Sequence, residues 1–185
     1  FLFEHGRMGV LDVSAIWNDE NKITELDGIT NDGPASMTFI GGYIDPSRPG
    51  YIDLDIKAIG THIDFAHSFT SSFADRVEGQ AQGAVRLYGP LNNVNLTGRI
   101  VVDGEINVRQ LNTTYTMRAD TVDFIPDNIL FSNCSLYDRD GHVALLNGAL
   151  HHQHLTRMTF DLDVEADNLL AYDFHDFGTD TFYIA

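Results

Sequence analysis

The chain has 185 residues, 11 Lys+Arg against 27 Asp+Glu, a formal charge of −16 and 43% hydrophobic residues, enough apolar material for one core or two small ones. A polyanion of this density is repelled by phosphate backbones and by anionic membrane surfaces, which argues against nucleic-acid binding. The longest unbroken apolar runs, such as Val143 to Leu146 and Leu169 to Tyr172, are four residues long, whereas a spanning helix needs roughly 20.

The chain opens on Phe1 without a basic n-region or an apolar h-region. It is therefore expected to be a fragment of something longer, with any signal or anchor outside this segment. The lone Cys134 forms no internal disulfide and supplies no multi-cysteine zinc site.

Period-2 alternation dominates from the start. Leu11, Val13 and Ala15 alternate with Asp12 and Ser14, and Ile52, Leu54, Ile56 and Ala58 with Asp53, Asp55 and Lys57, the pattern of strands with one apolar and one wet face. The rhythm then breaks. Phe65, Phe69, Phe73 and Val77 recur every four residues, with Ala66 and Ala74 beside them, and predict one short helix over 65–78 that caps the end of a sheet core. Its polar positions carry Asp64, Asp75 and Glu78 against a single Arg76, which does not suit a lipid-surface helix.

The longest alternation runs from Val94 to Arg109. Val94, Leu96, Gly98, Ile100, Val102, Gly104, Ile106 and Val108 occupy its even positions, with Gly104 expected at a bulge or turn. Shorter strands are predicted at Thr114–Ala119, Thr121–Ile125, Ile129–Phe131 and Val143–Leu150. Alternation returns from Met158 to Asp167, where Asp161, Asp163, Glu165 and Asp167 line one face. Turn signals separate these runs at Pro46 to Gly50, Gly89-Pro90, Asn92-Asn93, Pro126 to Asn128 and Asp138 to Gly141. An all-β, mostly antiparallel sheet follows, apolar on one face over a great length. Either a second sheet covers that face, as in a sandwich, or the sheet curls and leaves a groove suited to acyl chains.

Candidates for chemistry are sparse. His151, His152 and His154 could offer imidazole ligands, but no carboxylate lies within five residues, so they are expected at a surface turn or strand end. Asp138-Arg139-Asp140-Gly141 opens like a calcium loop, yet positions 5 and 12 are His142 and Ala149, where oxygen ligands are required; it is expected to be a hairpin turn. The pairs Asp161/Asp163 and Asp53/Asp55 have a spacing near that of glycosidase carboxylates, but acidic residues at every second position also keep a sheet edge soluble. Cys134 is expected to be a small buried residue rather than a nucleophile. No catalytic residue, metal or cofactor is expected.

An ordered series of motifs from Gly79 onward resembles the C-terminal domain of the TamB family, the inner-membrane-anchored subunit of the translocation and assembly module of Gram-negative envelopes. Gly79-Gln80-Ala81-Gln82-Gly83-Ala84-Val85-Arg86-Leu87-Tyr88-Gly89 is similar to the family's glycine-spaced strand opening, and Leu96-Thr97-Gly98-Arg99-Ile100-Val101-Val102 to its following strand. Leu111-Asn112-Thr113-Thr114-Tyr115 with Val122-Asp123-Phe124 resembles a pair of later strands. Asp138 to Gly141, Leu146 to His151, Phe160 to Val164 with Asn168-Leu169, and Asp180-Thr181-Phe182-Tyr183 complete the series. Ile184 stands where the family usually has glycine. Residues 1–78 would continue the structure N-terminally as further amphipathic strands, in one unit with 79–185.

The resemblance implies a curled sheet with an apolar concave face, the β-taco or half-open barrel-like groove of this family, without catalytic residues. It implies a periplasmic domain of a protein anchored in the inner membrane by a segment outside this chain. Phospholipid acyl chains, a BamA-type outer-membrane barrel and unfolded outer-membrane protein and autotransporter clients are its implied partners. The expected lining comprises Val94, Leu96, Ile100, Val102, Ile106, Val108, Val122, Phe124, Phe131, Phe160, Leu162 and Val164, and an aspartate at Val102 or Leu162 is expected to abolish lipid retention. An open trough could also pair two copies of the fragment. The competing expectations are a β-sandwich module recognising glycan or protein at a cell surface, and a polysaccharide-active enzyme on a β-helix.

Overall fold

Alternation turns into strand pairing along nearly the whole chain. The computed structural model describes residues 2–3, 6–7, 9–33, 37–173 and 182–184. In chain order the strands are β1 (Leu2–Phe3), β2 (Gly6–Arg7), β3 (Val10–Asn18), β4 (Ile23–Asp32), β5 (Thr38–Asp45) and β6 (Tyr51–His62). A 3-10 turn (Asp64–Ala66) and the helix α1 (His67–Thr70) follow. Then come β7 (Ala74–Pro90), β8 (Asn95–Val108), β9 (Thr113–Ile125), β10 (Asn128–Tyr137), β11 (Val143–Gln153), β12 (Thr156–Ala166), β13 (Leu169–Tyr172) and β14 (Phe182–Ile184).

Strands β3 to β12 form a single ten-stranded antiparallel sheet in strict chain order, open at both edges. Each strand pairs with its sequence neighbours because the connections are short, which is what antiparallel hairpins permit. The strands β1 with β2 and β13 with β14 make separate two-stranded ribbons. No described helix is long and apolar enough to cross a membrane.

The helix expected over 65–78 is confined to seven residues, Asp64 to Thr70. Strand β7 begins at Ala74, and Val77 lies opposite Ile106 and Gly79 opposite Gly104. Burial explains the correction: Ala74 and Val77 are core residues of the sheet, so pairing with β8 outweighs the four-residue spacing. The side chain of Phe69 lies outside the described residues, as do Asp180 and Thr181. The expected pair Thr114–Ala119 and Thr121–Ile125 is one strand, β9, whose register with β8 slips between Val102 and Gly104, at the glycine expected to mark a bulge. The 78/79 position falls inside β7.

The core is concentrated at the C-terminal half. Ala81, Val102 and Val122 form one buried cluster, against which Ile63 packs from the turn before α1. Tyr115, Ala144 and Leu169 form a second, with Ile106, Val108 and Leu136 around it. Of the buried apolar side chains among the described residues, only Ile52 comes from a strand before β7.

Candidate functional site: one face of the ten-stranded sheet

Directly opposed residues of paired strands point to the same side of a sheet, so the register identifies what each face carries. One row reads Val13, Gly28, Ile40, Ile56, Val85, Gly98, Phe124, Ile129, Leu150 and Phe160, crossing from one edge strand to the other. The neighbouring row on β8 to β12 is Ile100, Val122, Phe131, Gly148 and Leu162. The expected lining residues Leu96, Ile100, Val102, Ile106, Val108, Val122, Phe124, Phe131, Phe160, Leu162 and Val164 all sit on this side of their strands, while Val94 precedes β8. Sequence alternation found the C-terminal part of the face and missed β4 and β5, whose Leu26, Ile40 and Ile44 continue it.

The glycines of this face are part of its construction. A Cβ at Gly148 would lie 2.1 Å from the Asp161 carbonyl oxygen of β12, and one at Gly98 2.4 Å from that of Ala84 on β7. Both residues have positive φ, 121° and 133°, which strands built from other residues do not adopt. Glycine kinks of this kind are how a sheet acquires curvature.

The two ends of the face differ in what covers them. Phe73, just before β7, stacks edge-on against Phe160 of β12, with ring centroids 4.7 Å apart; β7 and β12 are five positions apart in the sheet, roughly 24 Å if it were flat. Farther along, Leu169 and Leu170 of β13 are only 2% and 1% exposed. The Leu170 N–H donates to the buried Asp138 carboxylate at 2.8 Å, and the Tyr115 hydroxyl donates to the Leu170 carbonyl at 2.8 Å. The Asp173 N–H donates to the Leu111 carbonyl, and Asn112 Nδ2 to the Asp173 carbonyl. Arg139 pairs with the Asp173 carboxylate. This clasp, invisible in the alternation, holds Leu169 over Ile106, Val108 and Tyr115.

Val102 and Val122 are thus packed core rather than open lining, whereas Phe160, Leu162 and Val164 on the edge strand β12 are exposed. At the opposite edge Val13 and Trp17 are 52% and 51% exposed, and no residue of β3 is buried.

The other face is held by charge. Asp53 accepts both Nε and an Nη of Arg86 at 2.6 Å, and the Tyr43 hydroxyl at 3.1 Å, and the guanidinium holds its carboxyl below the usual carboxylate range. Asp123 takes the same part for Arg99, and Glu105 and Asp75 pair with Arg76 and Arg109. Asp53 is thereby held in an ion pair that joins β6 to β7. Asp161 and Asp163 stand exposed on β12.

Asp138, Asp140 and His142 bring ligand atoms within 4.8 Å of one another. The Asp138 oxygens are already occupied by the N–H groups of Asp140, His142 and Leu170 and by the His142 ring. Burial alone would push the Asp138 carboxyl up, and these donors together hold it below its ordinary value. The group therefore acts as the hairpin turn expected from its sequence and as the anchor of β13. Asp127 comes within 3.9 Å of His152 and 3.8 Å of His154, a carboxylate that sequence proximity could not supply. His152 is buried, its Nδ1 accepts the Leu155 N–H, and burial lowers its pKa. Cys134 is buried, and burial pushes its thiol up, the opposite of an activated nucleophile.

Comparison with protein-family models, with curated proteins and with solved structures finds no match for this chain.

Proposed function

We propose that the protein is a non-enzymatic periplasmic domain of a TamB-like envelope protein, anchored in the inner membrane through a segment outside this chain. In this reading it takes part in phospholipid transport between the inner and outer membranes. It also takes part in outer-membrane protein and autotransporter assembly and secretion, beside a BamA-type barrel. The ten-stranded sheet curls, and its apolar face is the concave side of a groove in which acyl chains lie while head groups stay in water.

The observation that carries this reading is the row of apolar residues and glycines in register from β3 to β12, with its outer members exposed. The Phe73–Phe160 contact and the glycine kinks support curvature toward that side. Each acyl CH₂ leaving water contributes about 0.8 kcal/mol, so a dozen of them bind firmly without head-group recognition. A sandwich would need a second sheet over the face, and among the described residues only two-stranded ribbons lie outside the main sheet. A β-helix enzyme needs parallel coils, and every described pairing is antiparallel.

The test is native mass spectrometry with organic extraction of the chain purified from an envelope-containing host. Co-purified phospholipid is expected, and it is lost in Leu162→Asp and Val13→Asp, whose side chains are exposed. Val102→Asp is no substitute, since it buries a charge in a packed cluster. Wild-type lipid retention in both exposed-site variants, or no lipid in the parent chain, would remove the groove.

A further inference from the structure

Among the described residues the sheet ends in two edge strands of opposite character, β12 and β3. Edge strand β12 carries Arg157, Asp161, Asp163 and Glu165 among its 11 residues, the charge pattern that deters further pairing. Edge strand β3 carries one charge, Asp12, among its 9 residues. It also exposes Val13 and Trp17 on the apolar face and Ile16, 64% exposed, on the other. By the rules that keep sheets from adding strands, β3 is the unguarded edge.

Its charge environment specifies the missing neighbour. From β6 to β9 four arginines of the polar face meet a carboxylate on an adjacent or nearby strand, Arg86 with Asp53, Arg99 with Asp123, Arg76 with Glu105 and Arg109 with Asp75, while Arg118 lies over the Tyr137 ring. On β3 and β4 the same face carries Asp12, Glu25 and Asp27, with Ser14 opposite Asp27. None of these three carboxylates has an ion-pair partner among the described residues. A strand laid beside β3 with Lys or Arg at its polar-face positions would meet Asp12 directly and reach Asp27 across the small Ser14. The formal charge of −16 works against a second copy of the chain in that place and for a cation-bearing strand.

We propose that β3 is a docking edge for an extended segment that alternates apolar residues with Lys or Arg, adding an eleventh strand by β-augmentation. The apolar residues of the guest extend the face beyond Val13 and Trp17, and its basic residues supply the cations that Asp12 and Asp27 lack. This deepens the client-strand part of the reading above and rests on it, independently of whether the face holds lipid.

Trp17 is the one tryptophan of the chain and lies on this edge, so it reports docking directly. A nine-residue peptide alternating Val and Lys, added to the lipid-free chain, should shift Trp17 emission to the blue and slow amide exchange in β3. The same peptide with Glu for Lys should bind at least several-fold more weakly, with the gap closing at high salt. Asp12→Lys with Asp27→Lys should invert the preference, and Asp12→Asn with Asp27→Asn should abolish it.

Equal binding of both peptides, exchange protection at β12 instead of β3, or no response to either would overturn the proposal. So would a Trp17 shift that depends on protein concentration alone, which would assign the edge to a second copy. Lipid retention is measured separately on the same preparation, so loss of the docking edge and loss of the groove are distinguishable results.

Discussion

The two halves of the sheet use the same alternation to opposite ends. From β7 to β11 the apolar face is packed against the protein's own segments, Ile63 from the β6–β7 connection and Leu169 from β13, and Phe73 reaches Phe160 of the edge strand β12, whose Leu162 and Val164 stay exposed. From β3 to β5 the same rows continue with no buried apolar side chain. Alternation therefore fixes which side of a strand is apolar, and the connections decide whether that side becomes core or surface. One face thus joins packed core and exposed apolar surface in the same molecule.

The comparison breaks most visibly at the clasp. Leu170→Ala should cost about 2–5 kcal/mol in urea unfolding, whereas Val13→Ala on the bare half should stay within about 0.5 kcal/mol, the range of surface changes. Equal effects would mean that the two halves are covered alike.

Next in size is the removal of the charge that holds the clasp. Asp138→Asn leaves the buried donors of Leu170 and His142 facing a weaker acceptor and should cost about 1–3 kcal/mol, read in the same titrations. The Asp138 carboxyl is held below its ordinary range. Its contribution is therefore complete above the unfolded-chain pKa of about 3.9 and is lost as pH falls through the folded value. His152, whose folded pKa is also lowered, contributes fully above about pH 6.5 and loses its contribution as pH falls from there. Acid unfolding should show both phases, with His152→Gln removing the earlier one and Asp138→Asn the later.

Glycine substitutions sharpen the contrast at smaller cost. Gly148→Ala forces a Cβ against the Asp161 carbonyl at a positive φ and should cost about 1–3 kcal/mol. Gly41→Ala on β5, where a Cβ meets nothing within 4 Å, should be close to neutral by thermal melting. Smallest of all, Val13→Lys should leave the melting temperature nearly unchanged while removing peptide docking at β3, because a charge on an open edge blocks pairing.

Much of the sheet was legible in the sequence, because side-chain direction has period 2 and every exposed-face residue must be polar or tolerated. The runs at Leu11, Ile52, Val94 and Met158 all became strands on the expected side. Strands β4 and β5 escaped because Gly28, Gly41 and Gly42 interrupt their apolar alternation. The 65–78 helix was overestimated because Phe73, Ala74 and Val77 satisfy a four-residue period and a strand at once, and long-range pairing with β8 settles which one forms. The clasp could not be read at all: Leu169-Leu170 is a short apolar run, and its meaning depends on Asp138 and Tyr115, 32 and 55 residues away. That the carboxylates of β3 and β4 lack a cation, although Asn31 donates to Asp12 and Asn18 to Glu25, became visible only beside the ion pairs of the other strands.

The central claim is that the bare end of the apolar face contacts acyl chains. Trp17 lies on that face beside Ala15 and opposite Thr24, so quenching of its fluorescence by monomeric phospholipid brominated in the acyl chain tests the claim directly. The expected result is quenching in the parent chain, lost in Val13→Asp and absent with lipid brominated only at the head group. Undiminished Trp17 emission under saturating acyl-brominated lipid would contradict it.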